Sequence, residues 1–394
     1  MRIVCVTHAY PRWDGDIAGA FVERLVLALA RRGHTIAVVA PADVGRGGRE
    51  TRHGVMVERV RYAPARFETL AYRGTMLGAV RSPWGLAAFV ALVLQLGRAA
   101  RRAAAALDAD VIHAHWWVPA GLAVRMAAGK GRGRGVHRPY VVTLHGTDVA
   151  LLNSSGPARW LAAWVLRHAA AITAVSSYVA DNASRLAGVN RSRITVAPMP
   201  IDGTRFTRLS TGGGGVVTVG RMTRQKRLAL LVDAISQLAA EGLPVTLTIA
   251  GDGPERPALE RMVRRRGATA LVRFTGAIEP DRIPQILGDA DVFGFPAVGE
   301  GLGLAAAEAL MLGIPVVAAL DGGGVTDIVP EHGAGRLARP DAAAFAAAIR
   351  DVLADPSARA AAAEAGAALQ RRFDPDAVAQ TFEATYRQAS ADVA

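Results

Sequence analysis

The segment GEGLGLAAAEALMLG, residues 299–313, places two carboxylates, Glu300 and Glu308, eight positions apart with glycines at 301 and 303 between them. Two acids in one short segment can work as an acid and base couple on a glycosidic bond. Alternatively, each can accept hydrogen bonds from neighbouring hydroxyls of a sugar. The flanking residues favour the second chemistry. The apolar run DVFGFP ends at Pro296, so Glu300 falls in a loop, and a helix is expected to start between Leu302 and Ala305 with Glu308 in its first turns. Glycine lets the backbone approach a ligand, and a helix start offers N–H donors of the kind that take phosphate oxygens. Helical side chains lean toward the N-terminus, which turns Glu308 back toward Glu300. The two carboxylates then read as grips on the two ends of one nucleotide sugar, with Glu300 alone near the reacting atoms.

Acids beside a diphosphate need cations between them and it. VGRMTRQKR, residues 219–227, follows an apolar run and opens a helix, so that Arg221 with its planar fork and Lys226 with its point charge converge on one anion. Cations at a helix start run against the macrodipole, which weighs against a merely solvated surface. IAGDGPERPALE, residues 249–260, is a second strand, glycine turn and helix, but neither segment carries the three spaced glycines of a dinucleotide fingerprint, and an NAD-dependent oxidoreductase is disfavoured.

These groups need elements to position them. RIVCVTH, TIAVVAP, DVIHAH, YVVTLHG, AITAVS and RITVAP are short apolar runs separated by helical patterns, and after TGGGG at 211–215 the alternation resumes with VVTVGR, VTLTIAG, VRFTG, DVFGFP and PVVAA. Continuous apolar strands alternating with helices predict parallel sheets covered on both faces. Two such α/β domains, residues 1–200 and 201–374, would leave a cleft between them, with a terminal helix over 375–394 expected to return to the first domain. Ligands of open parallel sheets bind beyond the carboxyl ends of the strands. That rule puts His8, His113, His115, His145, Arg221, Gly251, Gly276 and Glu300 on the binding side. It puts His34 and the Asp-Ala-Asp triplets at 108–110 and 289–291 on the opposite edge, which disfavours them as metal ligands.

The 394 residues carry a net charge of +12, and the charge is uneven: residues 1–197 hold 26 basic and 11 acidic groups, the remainder 20 and 23. Such a basic half suits an anionic partner, namely a phospholipid surface, a lipid-linked phosphate or a nucleic acid. A nucleic-acid binder would interleave aromatics with its cations, and with 6% aromatic residues this chain does not. The single cysteine, Cys5, sits in an apolar run and fits a reducing compartment. MRIVCVTHAY is too short an apolar segment for a signal peptide, and the run at 83–97 falls short of a membrane span. A cytoplasmic protein is expected, either free or peripheral at the inner face of a membrane. Residues 80–104 join an apolar helix to a basic end, suited to cover the first sheet or to rest on anionic lipid. GKGRGRGVHR at 129–138 precedes a strand and is expected away from the binding side.

Together these segments resemble the GT-B glycosyltransferases, and more closely the large retaining family known as GT4, or group 1. The resemblance rests on EGLGLAAAEAL with its two glutamates, on VGRMTRQKR, IAGDGPERPALE and GIPVVAALDGGGVTDIV in that order, and on AYPRWDGDIAGAFVERL, DVIHAHW, VVTLHGTDV and PMPIDGTRF in the first half. It implies two Rossmann-like doubly wound domains facing each other across a deep cleft. It also implies transfer of a hexosyl group from a UDP- or GDP-sugar to a hydroxyl of a glycan, lipid-linked or natural-product acceptor, with no metal and no cofactor. By the same resemblance Arg221 and Lys226 would bind the donor diphosphate with the amides of Gly301, Leu302, Gly303 and Leu304. Glu308 would take the ribose, Glu300 the sugar hydroxyls at the reacting carbon, and Gly276, Ala277 and Ile278 the base. His145 would join Glu300 as the second catalytic residue, His115 and Asp148 would face the acceptor, and the loop ending at Gly19 would close over the donor. An epimerase or a phosphorylase on the same fold is the alternative. The chain departs from the family pattern at Pro200-Ile201, where Asn-Gly is usual, and at Arg227, where glycine is common after the lysine.

Overall fold

The computed structural model describes residues 1–73, 76–128, 138–206, 212–330 and 333–391. The glycine-rich 129–137 and the first residue of TGGGG, Thr211, lie outside them. The chain divides into two compact units, Met1–Pro200 with Pro375–Ala394, and Ile201–Asp374.

The first unit holds strands β1 (Arg2–Val6), β2 (Thr35–Pro41), β3 (Gly48–Arg52), β4 (Val55–Val60), β5 (Val111–His115), β6 (Tyr140–Leu144), β7 (Ala171–Ala174) and β8 (Ile194–Val196). They form one sheet in the order β3-β4-β2-β1-β5-β6-β7-β8. Its central strands are buried on both faces, which is why they read as unbroken apolar runs. All pairs are parallel except β3 with β4. That edge hairpin was not foreseen, because GRETR in β3 is polar and almost wholly exposed. Its two-residue turn, His53 and Gly54, has positive φ at both positions (47° and 81°), as a hairpin turn matched to strand twist requires, and its charged face blunts the open edge. The order reverses at β1 and β5, from which the chain runs outward in both directions.

The helix Pro83–Leu107 covers this sheet. Ser82 caps it through Gly85 N, Pro83 fills its first turn, and Leu92, Val93, Leu96 and Ala100 are buried on the face that packs over β1, β2, β4 and β5. The apolar pattern continues past residue 97, so the helix reaches 25 residues and, alone among the described residues, is long and apolar enough to cross a membrane by length and composition. A third of its most apolar window is buried inside the unit. Cys5 is buried in β1, and burial pushes its thiol up to about 12.

The helix Pro375–Ala391 packs on the helix Ala20–Arg31 and on β5, β6 and β7 of the same unit. Two polar anchors hold it. Tyr386 Oη lies 2.8 Å from His113 Nδ1. Glu383, its side chain 7% exposed, accepts from Arg32 Nε at 2.6 Å and lies 3.0 Å from His34 Nε2.

The second unit holds β9 (Val216–Val219), β10 (Leu247–Ala250), β11 (Val272–Gly276), β12 (Val292–Phe295), β13 (Val316–Ala319) and β14 (Gly335–Ala338), all parallel, in the order β11-β10-β9-β12-β13-β14. Its reversal lies between β9 and β12. Leu231, Ile235, Leu247, Ile249, Val292, Phe345 and Ile349 belong to its core. β14 was not anticipated, since GRLA gives no apolar run. The chain enters this unit at Ile201 and leaves it after Phe373, where Ile201 N donates to Phe373 O at 2.9 Å.

The Asp-Ala-Asp triplets are structural where they stand. Asp108 and Asp110 pair with Arg2, and Asp291 accepts from Gly213 N, Gly215 N and Arg359.

Glu383 links this packing to pH. Its hydrogen bonds from Arg32, then from His34, hold the carboxyl at about 2 against an ordinary 4.5. A depressed folded pKa gives stability that is fully present above about 4.5 and is lost as pH falls toward 2. Glu383→Gln is expected to lower the urea-unfolding free energy of the first unit at pH 7 by about 2 kcal/mol. The gap to the parent protein should narrow as pH falls through that window. A gap that stays constant from pH 7 to pH 3 rejects the assignment.

Candidate functional site

The reversal between β9 and β12 leaves a place where the two chains diverge and no connection crosses. Lys226 reaches it from the turn Arg224–Lys226 after β9, and Glu300 from the loop after β12. Lys226 Nζ lies 2.6 Å from Glu300 Oε1 and 5.3 Å from the centre of the Phe295 ring. Both side chains remain partly open, at 23% and 20% exposure, so the pair is accessible and contributes little stability.

The backbone of Glu300 is fixed on both sides by the loop after β13: Glu300 N donates to Gly322 O at 2.9 Å, and Gly324 N donates to Glu300 O at 2.8 Å. Gly323 between them has φ 81°, and a Cβ there would strike the Glu300 backbone. The loop DGGG therefore serves to hold Glu300. The helix Leu304–Met311 starts inside the expected window, with Gly303 at its N-cap in the left-handed region (φ 88°) and close against Val325. Leu302 is buried under the turn; Gly301 and Glu308 are half-buried, Glu308 one turn into the helix.

Arg221 is exposed on the loop after β9. That loop is zipped to the one after β10 by Gly220 N to Ala250 O and Met222 N to Asp252 O, both 2.9 Å. Gly251 N in turn donates to Gly276 O at the end of β11 at 3.0 Å. Arg221, Gly251 and Gly276 thus share one sheet edge, followed by exposed Ala277 and half-buried Ile278.

Arg227 stood in the sequence only as a departure from the family pattern, with no role at the site assigned to it. It sits in the left-handed region (φ 45°), which accounts for glycine being common there in the family it resembles. Its Nε donates to Pro296 O at 2.9 Å, and its guanidinium pairs with Asp321, Nη1 to Oδ2 at 3.0 Å. One side chain therefore ties the lysine turn to the loops after β12 and β13. The only advance signal was the departure from glycine.

In the first unit the reversal between β1 and β5 gathers rings. His115 Nδ1 lies 3.0 Å from His145 Nε2. The Trp116 ring stands 4.1 Å from His8 and 4.2 Å from His145, and Phe21 packs on both Trp116 and His145. Burial lowers His8 to about 4 and holds His115 and His145 well below the ordinary imidazole range, so all three are neutral at pH 7. His8 Nδ1 and His115 Nε2 are buried without a partner among the described residues.

Asp148 directs its carboxylate at backbone: Oδ1 accepts from His145 N and Gly146 N at 3.1 Å each, and Oδ2 from Trp117 N at 3.0 Å. Burial pushes it up to about 6 against those three bonds. It therefore sets the loop that carries His145. His113, expected at a strand end with the others, lies within β5 and is bonded to Thr143 at 2.6 Å and to Tyr386. It belongs to the sheet core, because its ring points to the face that the C-terminal helix covers. Gly19, φ 77°, caps the helix Ala20–Arg31 and lies against the backbone of Ala9 and Tyr10.

The chain is similar to known proteins along nearly its whole length. Residues 18–205 match the model for Glycosyltransferase Family 4, and residues 207–369 that for glycosyl transferases group 1. The chain is 28% identical to a glycogen synthase of Mycobacterium tuberculosis over 98% of its own length and 94% of the relative's. It is 31% identical to the 2-deoxystreptamine glucosyltransferase of Streptomyces kanamyceticus, covering 61% of this chain and 68% of that one. Among solved structures, sucrose-phosphate synthase of Thermosynechococcus elongatus shares the fold over the whole of both chains, with a TM-score of 0.80 at 21% identity. HepE of Anabaena, solved with UDP-glucose, shares it over 98% of this chain and 99% of its own, with a TM-score of 0.72 at 22% identity. With two parallel-sheet α/β domains, both family matches and these relatives, the chain belongs to the group 1 family of glycosyltransferases, family 4, and is a glycosyltransferase of the GT-B fold.

Proposed function

We propose that this glycosyltransferase moves a hexosyl group from a UDP- or GDP-sugar to a hydroxyl of a glycan, lipid-linked or natural-product acceptor, with retention of the anomeric configuration and without a metal ion. The observation that carries the reading is the Lys226–Glu300 pair at the β9/β12 reversal. A cation suited to a phosphate oxygen and a carboxylate suited to sugar hydroxyls stand side by side next to a glycine-capped helix start. The names of the relatives, a glycogen synthase and a glucosyltransferase, and the UDP-glucose bound by HepE support a nucleotide-sugar donor.

In this reading the bond from the sugar's anomeric carbon to the diphosphate breaks while the acceptor oxygen bonds to that carbon from the same face. The acceptor's proton passes to the departing phosphate oxygen. Positive charge develops on the sugar ring and negative charge on the diphosphate. Arg221, Lys226 and the amides of Gly301 to Leu304 are the groups for that negative charge, fixed in place before reaction, and they supply what a metal ion would otherwise supply. Glu300 takes sugar hydroxyls, Glu308 the ribose, and Gly276 to Ile278 the base, with Gly19 in the loop over the donor. His145 serves the sugar as a neutral ring: its Nε2 is engaged by His115, which leaves Nδ1 for a hydroxyl. Asp148 and His115 hold it in place on the acceptor side.

Arg221→Ala and Lys226→Ala are each expected to lower kcat about 100-fold or more, the usual effect of losing one preorganised donor to a developing anion. Initial rates on a panel of UDP-, GDP-, ADP- and TDP-sugars measure it; unchanged turnover rejects the diphosphate role. The product's anomeric coupling in NMR should match the donor's, and EDTA should leave the rate intact. Conversion of donor alone into another sugar nucleotide would identify an epimerase instead.

Arg227 offers a separate test of how the lysine turn is held. Arg227→Gly removes the bridge but suits the left-handed backbone, whereas Arg227→Ala loses the bridge and keeps the backbone strain, about 1 kcal/mol. The alanine variant should therefore unfold at lower urea than the glycine variant, and both should raise the KM for donor. Equal KM in both variants and the parent shows that Arg227 positions nothing.

A further inference from the structure

The first unit contains a cavity of about 710 Å³, within the range of ligand sites, that the donor chemistry leaves unused. Its polar lining is His8, Thr147 and Asp148 at the ends of β1 and β6, where Trp116 Nε1 donates to Thr147 Oγ1 at 3.2 Å, together with Tyr72, whose hydroxyl donates to Pro41 O, and Ser155, whose hydroxyl accepts from Ala158 N. Most of the remaining wall is apolar: Leu70, Met76, Leu86, Phe89, Trp117 and Leu161. Asp148 is already satisfied by backbone, so the cavity offers hydrogen bonds at the strand ends and hydrocarbon elsewhere. A free sugar or a polysaccharide, with a hydroxyl on nearly every carbon, would leave its donors unpaired against that wall.

A second observation points the same way. On the helix Pro83–Leu107, Leu86, Val90 and Leu94 recur every fourth residue and are exposed at 52%, 49% and 39%, with Trp84 at 87% just before them. An apolar stripe facing water marks an interaction surface. Leu86 belongs to both the stripe and the cavity wall, and Trp160, 71% exposed, adjoins Leu161 of that wall. Exposed Arg81 precedes the stripe, and exposed Arg98 and Arg101 follow it. Tryptophan, leucine and flanking arginine are the composition of a surface that rests in an anionic lipid interface.

We infer that the acceptor is lipid-linked: its hydrocarbon chain enters past Leu86 from an anionic bilayer on which the Trp84–Leu94 face rests, fills the cavity, and brings its hydroxyl to the strand ends near His8 and Thr147. This rests on the glycosyltransferase reading above and names the acceptor class that reading leaves open.

The test uses the full chain with a terminally brominated undecanol, whose bromine quenches nearby tryptophans. Saturable quenching is expected, since Trp116 and Trp117 line the cavity. Hexanol, octanol and decanol should displace the probe with affinity rising about fourfold per methylene. Phe89→Ser and Leu161→Ser should each weaken binding about tenfold; if neither folds, the chain-length series decides alone. The protein should sediment with vesicles of phosphatidylglycerol and phosphatidylcholine but not with phosphatidylcholine alone. Leu86→Ser/Val90→Ser, at exposed positions, should release it. Absence of saturable quenching or of a chain-length trend overturns the inference. So does alcohol binding without anionic-vesicle binding, which identifies a water-soluble apolar acceptor. Slow hydrolysis of donor by the unmodified protein is measured in parallel: if it persists while chain binding fails, the acceptor class is wrong and the donor reading stands, and the converse separates the other failure.

Discussion

The constraint on which the second unit depends is the reversal of strand order between β9 and β12. Two adjacent parallel strands send their chains away in opposite directions, so no connection covers the ground between their carboxyl ends. The charged pair of the candidate donor site is placed by that gap. The lysine turn closes it from one side and the glutamate loop from the other, and the 2.6 Å contact of Lys226 with Glu300 spans it. Glu300 would repel a diphosphate if it stood alone, and Lys226 would be an uncompensated cation in the absence of ligand. Each neutralises the other until an anion arrives to share the lysine. The pair is therefore better understood as stored charge complementarity than as a source of stability.

The same reversal between β1 and β5 has a different chemical outcome in the first unit. There it collects His8, His115, Trp116 and His145, all neutral at pH 7, with no charged side chain among them except the backbone-bound Asp148. The excess of basic residues in this half lies outside the ring cluster. A donor carrying two negative charges and an acceptor carrying a neutral hydroxyl ask for different surroundings, and the two units differ in that respect.

What could be read from residues alone follows the physics of each element. Doubly buried parallel strands show as apolar runs, so eleven of the fourteen strands among the described residues were legible. β3, β4 and β14 were not: β3 is held by an edge hairpin and exposes its side chains, β4 only half alternates, and β14, Gly-Arg-Leu-Ala, offers no apolar run. Glu300, Glu308, Lys226 and the glycines were legible because turn chemistry and charge placement are local. Arg227 was hidden because its function is to bridge loops about 70 and 94 residues away. His113 misled because alternation along β5 gives its face but not what covers that face, and the cover is Tyr386, 273 residues on. The apolar cavity was hidden for the same reason: its walls come from segments near residues 8, 70–89, 116–119 and 147–161.

The contact of Tyr386 with His113 also bears on how the chain assembles. The first unit is interrupted by the second and is completed only by the helix Pro375–Ala391, which follows the 174 residues of the other unit in the chain. Glu383 makes the closing step selective. A carboxylate with 7% of its side chain exposed is costly to bury unpaired, and its partners Arg32 and His34 are set side by side only when the helix Ala20–Arg31 and β2 have docked. The buried charge and the Tyr386–His113 bond together confer register on a helix whose apolar contacts, Val378, Phe382 and Ala389, would tolerate a slip along its axis.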